Sequence, residues 1–138
     1  MSQLDVPAGF IPLQRSSPVL ELLGPFYCQG NGLQLVIGLR TESKHANGRG
    51  TVHGGIIATL ADVAMGYAMA FASEPPLPLI TASMTLDYLG AVQVGDWLEV
   101  KLEHSKRGRQ MAFANAYLSV GERPVARASA VFAVPQGQ

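Results

Sequence analysis

Cysteine and charge are both scarce in this chain of 138 residues: Cys28 is the only cysteine, and charged residues make up 14%. A lone cysteine cannot form an intramolecular disulfide, and no metal-ligand spacing surrounds it. Residues 1–15 also lack a basic start followed by an apolar run, so the sequence shows no secretory signal. We therefore expect a cytoplasmic protein without a disulfide or a bound metal.

An excess of positive charge is also missing, because ten basic side chains balance ten acidic ones. Nucleic acid is not expected as a partner, since binding it requires a basic surface. Only segment 54–72 is long and apolar enough for a membrane, but Asp62 near its middle would cost roughly 3 kcal/mol there. We expect a buried helix instead, and no membrane contact. With 48% hydrophobic residues, much of the surface should be covered in an oligomer.

Period-two alternation of apolar and polar residues predicts a sheet around that helix. Strands are expected over residues 26–29, 33–40, 79–88, 97–104, 111–120 and 124–134. In 79–88, the alternation places Thr81, Ser83, Thr85 and Asp87 on one face. The last two strands carry alanine at every second position, which makes a shallow face for a helix. The prediction is an α+β fold in which a long helix is wrapped by an antiparallel sheet of five to six strands.

The first sixteen residues lack the regular apolar pattern of the rest of the chain. Residues 1–16 contain Pro7, Gly9 and Pro12, and we expect an irregular N-terminal segment. Ser17 and Pro18 then have the pattern of an N-cap and a first helical residue, which predicts a short helix ending at residue 23. We expect residues 17–138 to form a single domain.

The start of the long helix offers a candidate oxyanion site. Gly54 and Gly55 open the helix, where backbone N–H groups lack partners and carry partial positive charge. Glycine lets a substrate carbonyl approach these groups closely, as an oxyanion hole requires. The alternative is a pair of ordinary turn glycines. His53 precedes them, and we expect a neutral ring that hydrogen-bonds the loop or lines the site.

Asp62 is the only charged residue between positions 54 and 72, in a helix expected to be buried. A buried carboxylate is costly unless it is paired or takes part in chemistry. The structural alternative is an aspartate that hydrogen-bonds a nearby backbone group or hydroxyl, such as that of Thr59 or Tyr67. Gly54 and Asp62 are eight residues apart, ~12 Å along one helix, so both cannot reach one carbon from the same chain. If both act, two antiparallel helices in a dimer must form composite sites.

At this point the sequence resembles a known family, the PaaI-type acyl-CoA thioesterases of the hot-dog superfamily, from about residue 30 to the C-terminus. The matching residues are Asn47, Gly50, His53, Gly54, Gly55, Leu60, Ala61 and Asp62. The resemblance implies a hot-dog fold and an acyl-CoA substrate. It also implies no cofactor, since coenzyme A is part of that substrate, and a homodimer that assembles into a homotetramer.

The resemblance also implies roles for individual residues. The Gly54 N–H would polarise the thioester carbonyl, helped by the Asn47 side chain. Asp62 of the other subunit would act as general base or nucleophile. His53 would lie near the thioester, and Thr81 near a position whose hydroxyl holds the water. Substrate-binding positions are expected at Gly55 and in the turn Arg107-Gly108-Arg109, near the CoA nucleotide, although a plain solvated turn would have the same sequence.

Two other functions remain open from the residues alone. One is a hydroxyacyl-thioester dehydratase, and the other is a non-catalytic protein that binds or senses acyl-CoA. The acyl group is also open, among aromatic, medium-chain and hydroxylated types. Four residues of the helix could line its pocket or fill the core: Met65, Tyr67, Met69 and Phe71. His45 and His104 are expected on the surface without a role.

Overall fold

The structure is a computed structural model that describes residues 5–135. Its elements in chain order are β1 (Ile11–Pro12), α1 (Pro18–Leu23), β2 (Tyr27–Gln29), β3 (Val36–Arg40), α2 (Gly54–Ala70), β4 (Ile80–Tyr88), β5 (Trp97–Arg107), β6 (Met111–Val120) and β7 (Arg123–Ala133). All the strand pairs are antiparallel, in the order β1-β2-β3-β5-β6-β7-β4. The predicted helix and antiparallel sheet are both present.

The sheet has seven strands in the described residues, one more than the upper end of the prediction. The additional strand is β1, in which Ile11 pairs with Cys28 and Pro12 with Tyr27. Two residues are too few to show an alternating pattern, so the sequence could not reveal this strand. Pro12 is tolerated because β1 is an edge strand, where a missing N–H breaks no ladder.

α2 fills the concave side of the sheet. Its buried residues recur at helical spacing: Ile57, Leu60, Ala61, Ala64, Met65, Ala68 and Met69. The alanines of β6 and β7 are buried beneath α2, which confirms the predicted shallow face. They are Ala112, Ala114, Ala116, Ala126, Ala128 and Ala130. Because methyl groups occupy little depth, the helix can pack close to the strands. Met65 and Met69 therefore belong to the core and not to a pocket.

A β-bulge in β4 changes which side chains face α2. Thr81 pairs with the buried Phe132, but the register shifts before Ser83, which pairs with Val131. The extra residue, Ala82, reverses the alternation, so Thr81 lies on the inner side of the sheet. Its predicted place on one face with Ser83, Thr85 and Asp87 is therefore wrong. A bulge depends on the pairing with β7, which a single strand's sequence does not record.

The loop between β3 and α2 is anchored by a histidine that we expected on the surface. His45 is completely buried. Its Nδ1 accepts the Glu42 N–H at 2.9 Å, and its Nε2 lies 2.7 Å from the Leu23 carbonyl oxygen, to which it donates. The backbone carbonyl of His45 accepts the His53 N–H at 2.8 Å. The prediction that His45 lies on the surface is wrong, because both ring nitrogens find hydrogen-bond partners inside the protein. The buried ring also holds in place the backbone carbonyl that binds His53, the residue that precedes α2.

Candidate active site

The first turn of α2 leaves one backbone donor unused. Tyr88 Oη donates to the Gly54 carbonyl at 2.7 Å, and His53 Nδ1 accepts the Gly55 N–H at 2.8 Å. The His53 carbonyl accepts the N–H groups of Ile56 and Ile57. Within residues 5–135, the Gly54 N–H has no acceptor. The positive end of the helix is therefore presented at this one amide.

Tyr88 also explains why position 54 has no side chain. A Cβ added to Gly54 would lie 3.1 Å from Tyr88 Oη and 3.2 Å from its Cζ. The aromatic ring therefore occupies the space beside the first turn, and only glycine fits without displacing it. Sequence reasoning missed Tyr88, because nothing in β4 taken alone connects its last residue with the start of α2.

The side chain of His53 hydrogen-bonds the first turn of α2 and not the loop, since its Nδ1 accepts the Gly55 N–H. A ring that accepts at Nδ1 in this way is neutral and carries its proton on Nε2. The side chain is exposed. Its Nδ1 is thus committed to holding the Gly54–Gly55 peptide, and only Nε2 can contact a ligand.

Asn47 organises the loop that leads into the helix. Its Oδ1 accepts the backbone N–H groups of Arg49, at 2.8 Å, and Thr51, at 3.2 Å. Its Nδ2 donates to Thr51 Oγ1 at 2.9 Å. Because the carboxamide oxygen is occupied within the loop, the remaining Nδ2 hydrogen is the part of Asn47 that a substrate could use.

Asp62 is only partly buried, so the prediction of a buried carboxylate is wrong. Thr81 Oγ1 donates to Asp62 Oδ1 at 2.7 Å, a contact that the bulge in β4 makes possible. Thr59 bonds instead to the Gly55 carbonyl, at 2.9 Å. Within residues 5–135, the second carboxylate oxygen of Asp62 has no hydrogen-bond donor. It is available to a water molecule.

Asp62 opens onto a cleft of about 580 Å³ between α1, α2 and the segment that precedes β4. The α2 wall consists of Asp62, Val63, Gly66, Tyr67, Ala70 and Phe71. Tyr67 and Phe71 pack edge to face, with ring centroids 5.8 Å apart. The cleft thus joins a carboxylate at one end to a largely apolar and aromatic wall, which suits an acyl group.

The two ends of the candidate site are separated within one chain. Gly54 is absent from the residues that line the Asp62 cleft. Both residues belong to the same helix, ~12 Å apart along its axis. A single chain therefore cannot bring the unused amide and the carboxylate to one reacting carbon.

The turn at residues 107–109 joins β5 and β6, and none of its residues lines the cleft. The Gly108 N–H donates to the Met111 carbonyl at 2.8 Å, and Arg107 hydrogen-bonds Ser73 Oγ. All three turn residues are exposed. The turn is a solvated hairpin whose basic side chains are accessible to an anionic group.

The sequence also raised the questions of a metal site, a reactive thiol and a membrane helix. No three His, Cys, Asp or Glu side chains in residues 5–135 are grouped as metal ligands. Burial raises the pKa of the Cys28 thiol, which keeps it protonated and a poor nucleophile. No helix in these residues is long and apolar enough to cross a membrane.

Comparison with known proteins gives a consistent result. The family model of the thioesterase superfamily matches residues 49–129. A presumed esterase of Pseudomonas aeruginosa is 56% identical over 133 residues, which are 96% of this chain and 99% of that protein. Mouse acyl-coenzyme A thioesterase 13 is 29% identical over 86 residues, 62% of this chain and 61% of its own length. The PaaI protein from the phenylacetic acid degradation operon of E. coli superimposes with a TM-score of 0.76 at 21% identity, covering 89% of this chain and 88% of its own.

Proposed function

Because the chain belongs to the thioesterase superfamily and has its hot-dog fold, we propose that it hydrolyses acyl-CoA to a free acid and CoA at a site shared by two subunits. Membership of the family makes the chain a hydrolase. The observation that carries the proposal is the pair of unused polar groups on α2: the Gly54 N–H and the free oxygen of Asp62.

The chemistry needs only these two groups, because a thioester carbonyl is already activated. The free oxygen of Asp62 accepts a proton from water, and the water oxygen bonds to the carbonyl carbon. The carbonyl electron pair moves onto oxygen, where the Gly54 N–H of the partner subunit stabilises it. When the C=O double bond re-forms, the C–S bond breaks and the CoA thiolate takes up the proton. Direct attack by Asp62, with later hydrolysis of an anhydride, uses the same geometry.

A homodimer supplies the required geometry. Two antiparallel copies of α2 would bring Gly54 of one chain beside Asp62 of the other, in two symmetric sites. β4 supports this arrangement because it is the last strand of the sheet and one of its edges is unpaired. Two large side chains of this strand are exposed, Ile80 at 62% and Tyr88 at 53% of their surface. A long exposed edge strand is a natural place for a second copy to pair.

The other site residues are proposed to assist. Thr81 holds Asp62 in place, while His53 and Tyr88 fix the peptide that follows the Gly54 amide. The free Nδ2 hydrogen of Asn47 would assist that amide in polarising the carbonyl. Arg107 and Arg109 would bind the CoA portion, because exposed guanidinium groups suit phosphates. Gly108 and Gly55 would let it approach the backbone closely, because they have no side chain. A cytoplasmic homotetramer without a cofactor completes the proposal.

A thiol-release assay tests this function directly. Purified protein is offered a panel of acyl-CoA esters with aromatic and medium-chain acyl groups, and free CoA is measured with a thiol reagent. We expect release of CoA with at least one of these classes. A hydroxyacyl-CoA is included because loss of water without thiol release would indicate a dehydratase. Binding without either reaction would indicate a protein that senses or carries acyl-CoA.

A further inference from the structure

The end of the cleft opposite Asp62 carries a cation, Arg15, that forms no ion pair with any of residues 5–135. Arg15 lines the cleft, and its Cζ lies 4.9 Å from the centroid of the Phe71 ring. Phe71 follows Asp62 by nine residues in the chain, so the two ends of the α2 wall are ~14 Å apart along the helix axis. Arg15 is therefore placed at the far end of an acyl group whose thioester lies at Asp62.

Within residues 5–135, the guanidinium of Arg15 forms no hydrogen bond or ion pair, and its contact is the cation–π contact with the Phe71 ring. The nearby carboxylate of Glu21 accepts the Ser16 hydroxyl at 2.9 Å and forms no ion pair with Arg15. A cation–π contact uses the positive charge of the guanidinium and occupies none of its N–H donors. These donors form a fork that suits two parallel hydrogen bonds to a carboxylate.

Between the two ends, the lining residues from α2 and from the segment before β4 are apolar or aromatic. Val63, Tyr67 and Ala70 belong to α2, and Leu77 and Leu79 belong to the segment before β4. Ser16 and Ser17 line the cleft beside α1. An aliphatic or aromatic spacer fits this stretch, whereas a charged group in the middle would lose hydration without a partner. The cleft thus has the pattern of a polar end, an apolar middle and a cationic end.

We propose that Arg15 recognises a carboxylate at the end of the acyl group remote from the thioester, so that the preferred substrates are carboxyacyl-CoA esters with a medium-length or aromatic spacer. This inference depends on the proposed thioesterase function and specifies its substrate class. Arg15 is a specificity residue and takes no part in bond cleavage. A CoA phosphate is the other anion that an arginine could bind, and the apolar cleft walls favour the acyl carboxylate.

The test compares matched substrates in the whole protein. One series has acyl-CoA esters of equal length that end in a methyl group or in a carboxylate. A second series carries the same acyl groups on N-acetylcysteamine, which has no phosphate. The variants are Arg15→Met, Arg15→Lys and, as a control, Arg127→Met. Arg127 is exposed on the outer sheet face, where it pairs with Asp87 at 3.2 Å.

We expect wild type to favour the carboxylate-ended ester. Arg15→Met should lower kcat/KM for that ester by about tenfold to a hundredfold in both series, with the methyl-ended ester unchanged. Arg15→Lys should retain part of the preference for the carboxylate-ended ester, and Arg127→Met should retain all of that preference. Equal wild-type rates for the two endings would overturn the Arg15 inference and leave the thioesterase function standing. A loss common to both endings and confined to the CoA series would assign Arg15 to phosphate and also overturn it. No hydrolysis of any thioester would overturn both proposals.

Discussion

The two groups proposed to act on the thioester lie on the same helix but are held in very different ways. At the start of α2, the peptide that bears the Gly54 N–H is held through the His53 carbonyl, which accepts from Ile56 and Ile57. The peptide that follows this N–H is held by the Tyr88 hydroxyl and by His53 Nδ1. Eight residues later, Asp62 has one hydrogen bond, from Thr81, and opens onto the cleft. The backbone at the Gly54 end is held by several hydrogen bonds, whereas the carboxylate at the Asp62 end has an oxygen open to the cleft.

This difference matches the two tasks. A backbone donor stabilises an oxyanion well only when its direction is set before the reaction, because reorienting a dipole during the reaction costs free energy. A general base must instead exchange a proton with water, so one carboxylate oxygen has to stay unoccupied. Substitution of Asp62 should therefore remove the general base, whereas substitutions near Gly54 should displace the oxyanion donor.

The largest effect is expected for Asp62→Asn. The amide keeps the shape of the carboxylate but cannot accept the proton, so kcat should fall by roughly 10²- to 10⁴-fold. The affinity for a non-hydrolysable substrate analogue should remain, as measured by calorimetry.

The matched control is Asp87→Asn, which alters an exposed carboxylate on the outer side of β4. It should leave kcat unchanged. Unchanged turnover in Asp62→Asn itself would remove this residue from the mechanism.

The next effect is expected for Gly54→Ala. The added Cβ meets the Tyr88 hydroxyl at 3.1 Å, so either the ring or the first turn of α2 must shift. A displaced amide should lower kcat by roughly tenfold to 10²-fold, since a misplacement of about 1 Å in a catalytic group can cost 10²-fold. Steady-state kinetics with an intact circular-dichroism spectrum would show this.

Gly48→Ala serves as the comparison, because a Cβ at that position meets no atom within 4 Å. It tests whether an alanine near the start of the helix is harmful by itself. If the two alanine variants had the same activity, the close packing of Gly54 against Tyr88 would be irrelevant to catalysis.

A smaller effect is expected for Thr81→Val, which removes the hydrogen bond to Asp62 while keeping the side-chain shape. A single hydrogen bond to a charged group has a strength that corresponds to about tenfold in kcat. Thr81→Ser should restore activity, because serine retains the hydroxyl. Thr85→Val, on the outer face of β4, provides the control, and a loss there as large as in Thr81→Val would contradict the assignment.

The smallest effect is expected for Tyr88→Phe, since the ring and the Gly54–Gly55 peptide both stay in place. Loss of one neutral hydrogen bond corresponds to about 1 kcal/mol, or roughly fivefold in kcat, with KM little changed. Tyr117→Phe on the outer face of β6 should have no effect. A change in KM alone would show that Tyr88 binds substrate and does not position the amide.

The sequence predicted the elements whose signals are local. The start of α2 at Gly54 and the alanine rows beneath it follow from spacing and side-chain size. So does the short helix after Ser17, whose hydroxyl accepts the Leu20 N–H. Residue type and position in α2 also sufficed to identify Gly54 and Asp62 as candidate site residues.

The features that the sequence did not predict depend on contacts between distant segments. The inward position of Thr81 requires a bulge that is defined by the pairing of β4 with β7. The burial of His45 requires Leu23 as a partner, and the role of Tyr88 requires the start of α2 beside the end of β4. The free oxygen of Asp62 likewise reflects the cleft beside α1, which is formed only when the helices pack.

The central claim is that each site combines the Gly54 amide of one subunit with the Asp62 carboxylate of the other, and mixed dimers test it most directly. Asp62→Asn and Gly54→Ala chains are unfolded together and refolded, or co-expressed, and thiol release is compared with that of each variant alone. Each mixed dimer then has one intact site, so a statistical mixture should recover about a quarter of wild-type activity. Activity no higher than the mean of the two separate variants, in a mixture shown to contain mixed dimers, would contradict the claim.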